Sequence, residues 1–400
     1  MSLDLSHNKI SIIETNAFLG FNYVLQIFLN ENKLTHINKN TFDHLNRLKI
    51  FSLAKNEIKT IESYSFKSLI DLNSLDLQSN LIEFILEDTF YGLKNLTTLI
   101  LLNNSIKYIY QKSFNGLHSL NILKLDNQNI QIFENESFGL FNLNVLLLNR
   151  NNISFIFKEQ FKNLINLKEL ILDFNKVKTI DNFTFSHLVK LTKLSLQSNK
   201  IEFIDKNGLS GMINLTHLML RNNLLKILSN PSIFIELTNL NELDLSNNLI
   251  ESIDSNLFKT NQKLNLLNLS NNNLKEFKSN QFNSLTNLSR LYILNNSINT
   301  IDSNSFNNSK IKYLFITFNN SKEYIVNSLT PLEPKLLKQI GYLRFFETIF
   351  IENRLNVNCE ITFELIRNKL FYNFLTENDL IFILTECNSL NSKFNFHKKK

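Results

Sequence analysis

A short phrase of alternating leucine and polar residues returns along this chain. It reads Leu3-Asp4-Leu5-Ser6-His7-Asn8-Lys9-Ile10, then Leu75-Asp76-Leu77-Gln78-Ser79-Asn80-Leu81-Ile82, then Leu194-Ser195-Leu196-Gln197-Ser198-Asn199-Lys200-Ile201, with further copies at 243–250 and 267–274. Apolar residues alternating with polar ones predict a short strand that buries a single face. The asparagine near the end of each phrase marks the register. It falls at Asn8, Asn32, Asn56, Asn80, Asn104, Asn151, Asn175, Asn199, Asn223, Asn248, Asn272, Asn296 and Asn319, a spacing of 24 with occasional slips of one. Gln128 fills the single gap, so the chain carries fourteen turns.

Each turn repeats more than its strand. An apolar residue follows the asparagine by five positions, as at Ile13, Ile37, Ile61, Ile85, Ile109 and Ile180. A phenylalanine follows it by ten, from Phe18, Phe42 and Phe66 through Phe185 to Phe258, Phe282 and Phe306, and another apolar residue comes three positions later, as at Leu45, Leu69 and Leu93. One such turn cannot bury its apolar side alone, so the turns must stack. Stacking sets the leucines in continuous columns and the phenylalanines in a second column, a spine, on the far side. The bend after each strand strands backbone amides and carbonyls inside the protein, and an asparagine amide offers two donors and an acceptor to satisfy them. The phenylalanine side is the bulkier one, so the array must curve with its sheet inside. At about 4.8 Å per strand, fourteen turns make a sheet on the order of 60–70 Å long.

Several turns break the pattern. Gln128 replaces the ladder asparagine and the turn after it is one residue short; Leu209 stands where a spine phenylalanine is expected; the turn after Asn223 is one residue long and holds Pro231, Ile233 and Phe234; Asn261 and Ser309 occupy apolar positions. The first strand has no polar cap before it, which suggests a chain incomplete at its N-terminus. After residue 321 the period is lost. Residues 322–392 read as a separate cap domain, with helix-forming segments at 335–351 and 362–375, and residues 393–400 as a basic tail ending in Lys398-Lys399-Lys400.

Over residues 1–321 the pattern resembles the leucine-rich repeat in its 24-residue form, as in the ectodomains of Toll-like receptors, Slit-type guidance proteins and small leucine-rich proteoglycans. The resemblance implies an α/β solenoid, a curved horseshoe with a parallel concave sheet, here followed by a small helical C-terminal cap. It also implies a non-catalytic module that binds a protein ligand or receptor at the cell surface or outside the cell. The cap resembles the C-terminal flanking domain of such proteins, but with two cysteines and no tryptophan where that module commonly has four cysteines and a tryptophan. If the protein is secreted, Cys359 and Cys387 are expected to form a disulfide. An intracellular scaffold, or the recognition arm of a larger enzyme, remains open as an alternative.

Composition narrows the chemistry. The net charge of +6 over 400 residues is small and well mixed, which does not favour a nucleic-acid partner. No apolar run reaches the roughly 18 residues of a membrane span. The seven glycines form no phosphate loop, and none of the seven histidines has metal-ligand spacing with another histidine or a cysteine, so no cofactor or metal is expected. Eleven asparagines from Asn95 to Asn319 lie in glycosylation sequons, close to the chance expectation of about nine and therefore undecided.

The positions between buried leucines point into the concavity. Two apolar groups stand out there. One joins Ile100, Leu102, Ile122, Val145, Leu147, Ile171 and Phe174, flanked by Lys124, Arg150 and Arg221, with Met219 further along the same row; the other joins Tyr292, Leu294, Tyr313, Phe315 and Phe318 beside the cap. The first is the expected partner site, with Phe174, Arg150 and Arg221 as anchors. Self-association into a homodimer through it is the competing expectation.

Overall fold

The computed structural model describes residues 1–298 and, beyond them, 300–302, 305, 311, 313–316 and 342–345. Fifteen of the described strands line up in sequence order as one parallel sheet. Most have three residues, as in Ser2–Asp4, Ser74–Asp76, Thr98–Ile100, Ile122–Lys124, Val145–Leu147, Glu169–Ile171 and His217–Met219. The middle residue of each pairs with the middle residue of the next, Leu75 with Leu99 and Leu99 with Leu123, and these leucines are fully buried. The length slips do not disturb this register: Ile122 still pairs with Val145, and His217 with Glu242. Insertions and deletions are absorbed away from the sheet.

The asparagine ladder explains why the register holds. Asn175 is buried; its Oδ1 accepts from the Ile153 N–H at 3.1 Å, and its Nδ2 donates to the carbonyls of Leu148 at 2.9 Å and Leu172 at 3.0 Å. One amide thus closes its own bend and ties it to the preceding turn. The pattern repeats from Asn32 to Asn296. Gln128 substitutes for it through a longer arm: Oε1 accepts from the Ile106 N–H at 3.1 Å and Nε2 donates to the Leu101 carbonyl. The own-turn carbonyl of Leu125 is then served by Asn151 at 3.0 Å. Asn8 lies exposed and bonds only within its own turn, and Asn319 is outside the described residues.

The residue just before each ladder position takes a left-handed backbone, with φ between 52° and 58° from His7 to Asn295. Asparagine accepts that conformation best among residues with a side chain, which accounts for Asn103, Asn127, Asn222, Asn247 and Asn271 at this position. At the opposite bend, Gly92 has φ 96° and a Cβ there would meet the Lys67 carbonyl oxygen at 2.4 Å.

The phenylalanine spine is present and stacked. Ring centroids of Phe42 and Phe66 are 5.9 Å apart, Phe66 and Phe90 6.3 Å, Phe90 and Phe114 6.2 Å, all nearly parallel. At the short turn, Phe133 inserts between Phe138 and Phe161. Leu209 fills its slot fully buried, and Phe234 restores the column against Phe258 at 6.0 Å. Asn261, at an apolar position, is buried and donates to the carbonyls of Phe234 and Leu237. Ser309 is outside the described residues.

The far side holds five pairs of two-residue strands and the 3-10 turn Lys158–Phe161, with no α-helix among the described residues. Of the expected helix at 335–351, the described part, Tyr342–Phe345, is a strand instead. It pairs in parallel with Tyr313–Ile316, Leu343 beside Leu314. A solenoid leaves an open row of backbone donors and acceptors at the end of its sheet, and this strand pairs with that row. The rest of 322–400, including the expected helix at 362–375, Cys359 and Cys387, lies outside the described residues.

The ladder predicts a graded response to truncation. Asn175→Ala leaves the Ile153 N–H buried and unpaired, while the Leu148 and Leu172 carbonyls keep their bonds from Asn151 and Asn199, and should lower stability by roughly 2–3 kcal/mol. Asn222→Ala removes an exposed side chain but places alanine at φ 58°, so it should cost about 1 kcal/mol, and Asn222→Gly close to none. Urea midpoints of the three variants check the order; equal shifts for Asn175→Ala and Asn222→Ala would refute the ladder's role.

Candidate functional site

Strand register sorts the predicted concave residues into rows. Thr98, Ile122, Val145 and Glu169 are neighbours on successive strands, and so are Ile100, Lys124, Leu147, Ile171, Ser195 and Met219. Ile100, Ile122 and Leu147 are half-buried on this face, while Ile171 is almost covered. Lys124 sits between Ile100 and Leu147 in the middle of the apolar group, whereas the sequence suggested that it flanks it. Met219 does not join the group, because Ser195 separates it from Ile171.

Phe174 and Arg150 stand at the edge of the sheet on the left-handed residues, not on strands. The Arg150 guanidinium carbon lies 4.6 Å from the centroid of the half-exposed Phe174 ring, a cation–π contact that covers one face of the ring. A phenylalanine at φ 56° is strained, since its bulk crowds the following carbonyl. Arg221 stands two turns beyond the Phe174 turn and is exposed. Strand spacing puts it about 10 Å away, outside that contact. In the second predicted group, Tyr292 pairs with Phe315 on adjacent strands, but the side chains of Tyr313, Phe315 and Phe318 lie outside the described residues.

Between the apolar row and the edge runs a polar row that the sequence reading passed over. The Asn149 N–H donates to Asp126 at 3.0 Å, and the Asn149 Oδ1 accepts from the Asp173 N–H at 3.2 Å. Asp173 in turn accepts from the Ser195 hydroxyl and, at 2.8 Å, from the Gln197 N–H. Burial raises the Asp126 and Asp173 carboxyls above the ordinary aspartate range, opposed in part by these hydrogen bonds, and burial does the same to Asp76 against Gln78. The concave face of turns four to eight therefore combines aliphatic knobs, one central lysine and three carboxylates held partly out of water.

Other features bear less on chemistry. Lys190, Thr192, Asn214, Thr216, His217, Asn239, Asn241 and Lys263 line a shallow groove of about 660 Å³ at the sheet's leading edge. Its polar groups serve the fold: Thr216 donates to the Thr192 carbonyl, Asn214 to the Val189 carbonyl and Lys263 to Asn239. Among the described residues no group of three or more histidine, cysteine or acidic side chains is placed to hold a metal, and no helix is long and apolar enough to cross a membrane.

Half-buried Asp173 has a consequence for stability. The folded state holds its proton to higher pH than the unfolded chain, so between the ordinary aspartate range and the raised value stability falls as pH rises. Below that window both states are protonated and the penalty is absent. Asp173→Asn should therefore raise the melting temperature at pH 7 and change it little at pH 3. Thermal scans at the two pH values check this; a loss at pH 7 would show that the Asp173 hydrogen bonds outweigh its desolvation.

The comparisons agree with this architecture. A model of the leucine rich repeat matches residues 1–58, 46–106, 141–201, 189–248 and 238–298. No curated protein sequence matches the chain. Among solved structures, TLR13 in a complex with ssRNA13 superposes with a TM-score of 0.73 at 25% identity, over 85% of this chain and 51% of that one. A leucine-rich repeat protein of Leptospira interrogans gives 0.58 at 23% identity over 86% and 89%. Toll in its complex with Spatzle, from Drosophila, gives 0.62 at 20% identity over 81% and 49%. The chain thus spans about half the length of the TLR13 and Toll chains. Repeats matched over most of residues 1–298, a ladder that ties each turn to the last, and one long parallel sheet make this chain a member of the leucine-rich repeat family.

Proposed function

We propose that this protein is a non-catalytic binding module that holds a protein partner on its concave sheet, as part of a receptor ectodomain or a secreted or adhesion protein. The observation that carries the reading is the concave face of turns five to eight. There Ile100, Ile122 and Leu147 stay half-exposed on a rigid sheet, and the Phe174–Arg150 pair stands at its edge. A contiguous apolar surface on a scaffold with no other use for it is a mark of an interface, and aromatic and arginine side chains are the usual anchors. Asp76, Asp126 and Asp173 on the same face favour a partner with apolar and cationic groups over a polyanion such as nucleic acid, whose phosphates would need neutralising. Cell-surface or extracellular placement rests on the likeness to Toll and TLR13.

With a partner in hand, binding titrations test the site. Leu147→Asp should weaken binding at least thirtyfold, about 2 kcal/mol, because it removes an apolar knob from the contact and desolvates a carboxylate in its place. Phe174→Ala should weaken it about tenfold without altering the backbone strain at that position. Lys259→Ala on the outer side should leave affinity unchanged. Normal binding by Leu147→Asp together with loss in Lys259→Ala would move the site to the outer face.

A further inference from the structure

Many of the exposed large apolar residues are not on the concave sheet but on the outer flank, four and six positions after the ladder residue, on either side of a buried residue at position five. Along the first of these columns, turns two and three carry His36 and Thr60, and turns eleven and twelve carry Ser252 and Glu276. Turns four to seven carry Phe84, Tyr108, Ile132 and Phe155 in unbroken succession, and Ile12, Phe203 and Ile227 stand apart from them in turns one, nine and ten. The second column adds Leu86, Tyr110 and Phe157, broken only by Glu134 in turn six. These seven apolar residues are each 38–57% exposed, and the rings of Phe155 and Phe157 stack on each other at 6.5 Å in the open.

The charges around the stripe alternate turn by turn. Turn four brings Glu83, Glu87 and Asp88; turn five Lys107 and Lys112; turn six Glu134 and Glu136; turn seven Lys158 and Lys162 with Glu159. They pair along the chain, Lys107 with Glu83 at 3.2 Å, Lys112 with Glu87 at 2.6 Å and Lys162 with Glu136 at 3.0 Å. Exposed pairs of this kind contribute little and exchange partners readily.

We propose that this flank is the contact between two copies of the chain, arranged antiparallel about a two-fold axis that passes between turns five and six. An axis there sets turn four of one copy against turn seven of the other, and turn five against turn six. Both pairings bring opposite charges together. Phe84 then meets Phe155 of the second copy, Leu86 meets Phe157, and Tyr108 meets Ile132, so apolar residues face apolar residues throughout. Glu134, the one polar residue in the stripe, falls opposite Tyr110. One Glu134 oxygen already accepts from the Gln111 N–H at 2.7 Å, which leaves the other to accept from the Tyr110 hydroxyl. Moving the axis by half a turn, onto turn five, would set acidic turn six opposite acidic turn four, so the charges exclude the adjacent register. A shift by a whole turn would set Ile132 opposite Thr60, or Tyr108 opposite Thr179, and lose the apolar match.

The size of the stripe fits such a partner. About 100 Å² exposed per residue gives roughly 600–700 Å² on each copy, near the 800 Å² per partner of a standard interface. Two outward-curving surfaces can touch over only a few turns, and the unbroken apolar run is four turns long, bounded by Thr60 and Thr179. An isologous contact of this kind closes on itself and leaves both concave faces open.

Sedimentation velocity or light scattering on the whole chain tests the proposal. The wild type should be a dimer at about 0.1 mM, with dissociation in the micromolar range. Phe155→Asp should be monomeric with an unchanged melting temperature. Two charge-reversal variants give the decisive measurement. Lys107→Glu/Lys112→Glu sets like charges across the axis, and so does Glu134→Lys/Glu136→Lys, so each alone should dimerise at least tenfold more weakly. Mixed one to one, they should re-form a dimer of near wild-type affinity, because each then meets its complement. A monomeric wild type, a mixture no tighter than its components, or a dimer that Leu147→Asp abolishes and Phe155→Asp leaves intact would overturn the proposal.

Discussion

The whole molecule depends on what happens to the backbone at one bend. After each three-residue strand the chain turns away from the sheet with N–H and C=O groups that no water can reach. One amide side chain per turn satisfies them, and it does so across the boundary between turns. Asn175 takes its N–H from 22 residues back and gives one of its bonds to a carbonyl 27 residues back. The same atoms are served when a turn is short or long: the intervals become 21 and 26 at Asn151, and 23 and 28 at Asn248. The bend is therefore the fixed point of the repeat, and length variation is pushed to the outer side, where it meets only exposed turns.

That constraint explains which parts of the structure can be read from the chain. Asparagines, leucines and phenylalanines recur many times in phase, and each serves a buried requirement that tolerates few alternatives, so the sheet, the ladder and the spine are legible residue by residue. What the repeat does not dictate is harder to read. Lys124 sits inside the apolar group because register, not proximity in sequence, decides its neighbours. Phe174 sits at the edge of the sheet because it occupies the left-handed position before the ladder, a fact visible only once that backbone is known. The flank stripe escaped notice because its residues alternate around a buried isoleucine or phenylalanine, and one short extended segment looks like another until its exposed side is identified. The strand at Tyr342–Phe345 is not legible in the sequence, because a single apolar alternation outside the period carries no phase.

The concave group and the flank stripe occupy nearly the same turns, on different sides of one rigid body. Turns five to eight hold the first apolar concave group, and turns four to seven the unbroken run of exposed outer residues, with Ile12, Phe203 and Ile227 standing apart from it. The buried columns between them are common to every turn and cannot account for this concentration. Whatever sets these turns apart acts on surface positions alone. Turns eleven and twelve, built on the same ladder and core, carry polar residues in the outer column and have no such surface to cover.

The concave face also departs from what stability alone would select. Asp126 and Asp173 are half-buried carboxylates, although asparagine would fill the same space without the desolvation penalty and is abundant elsewhere in the chain. Phe174 occupies a left-handed residue that six other turns give to asparagine. The Phe174 backbone costs on the order of 1 kcal/mol, burial penalises both carboxylates, and all three residues lie within three consecutive turns. The ladder makes such departures tolerable, because neighbouring turns hold the backbone in place whatever the surface carries. Strain and desolvation gathered beside Ile122, Leu147 and Ile171 are what a face shaped for contact would show, and a face shaped only for folding would have no reason to keep them.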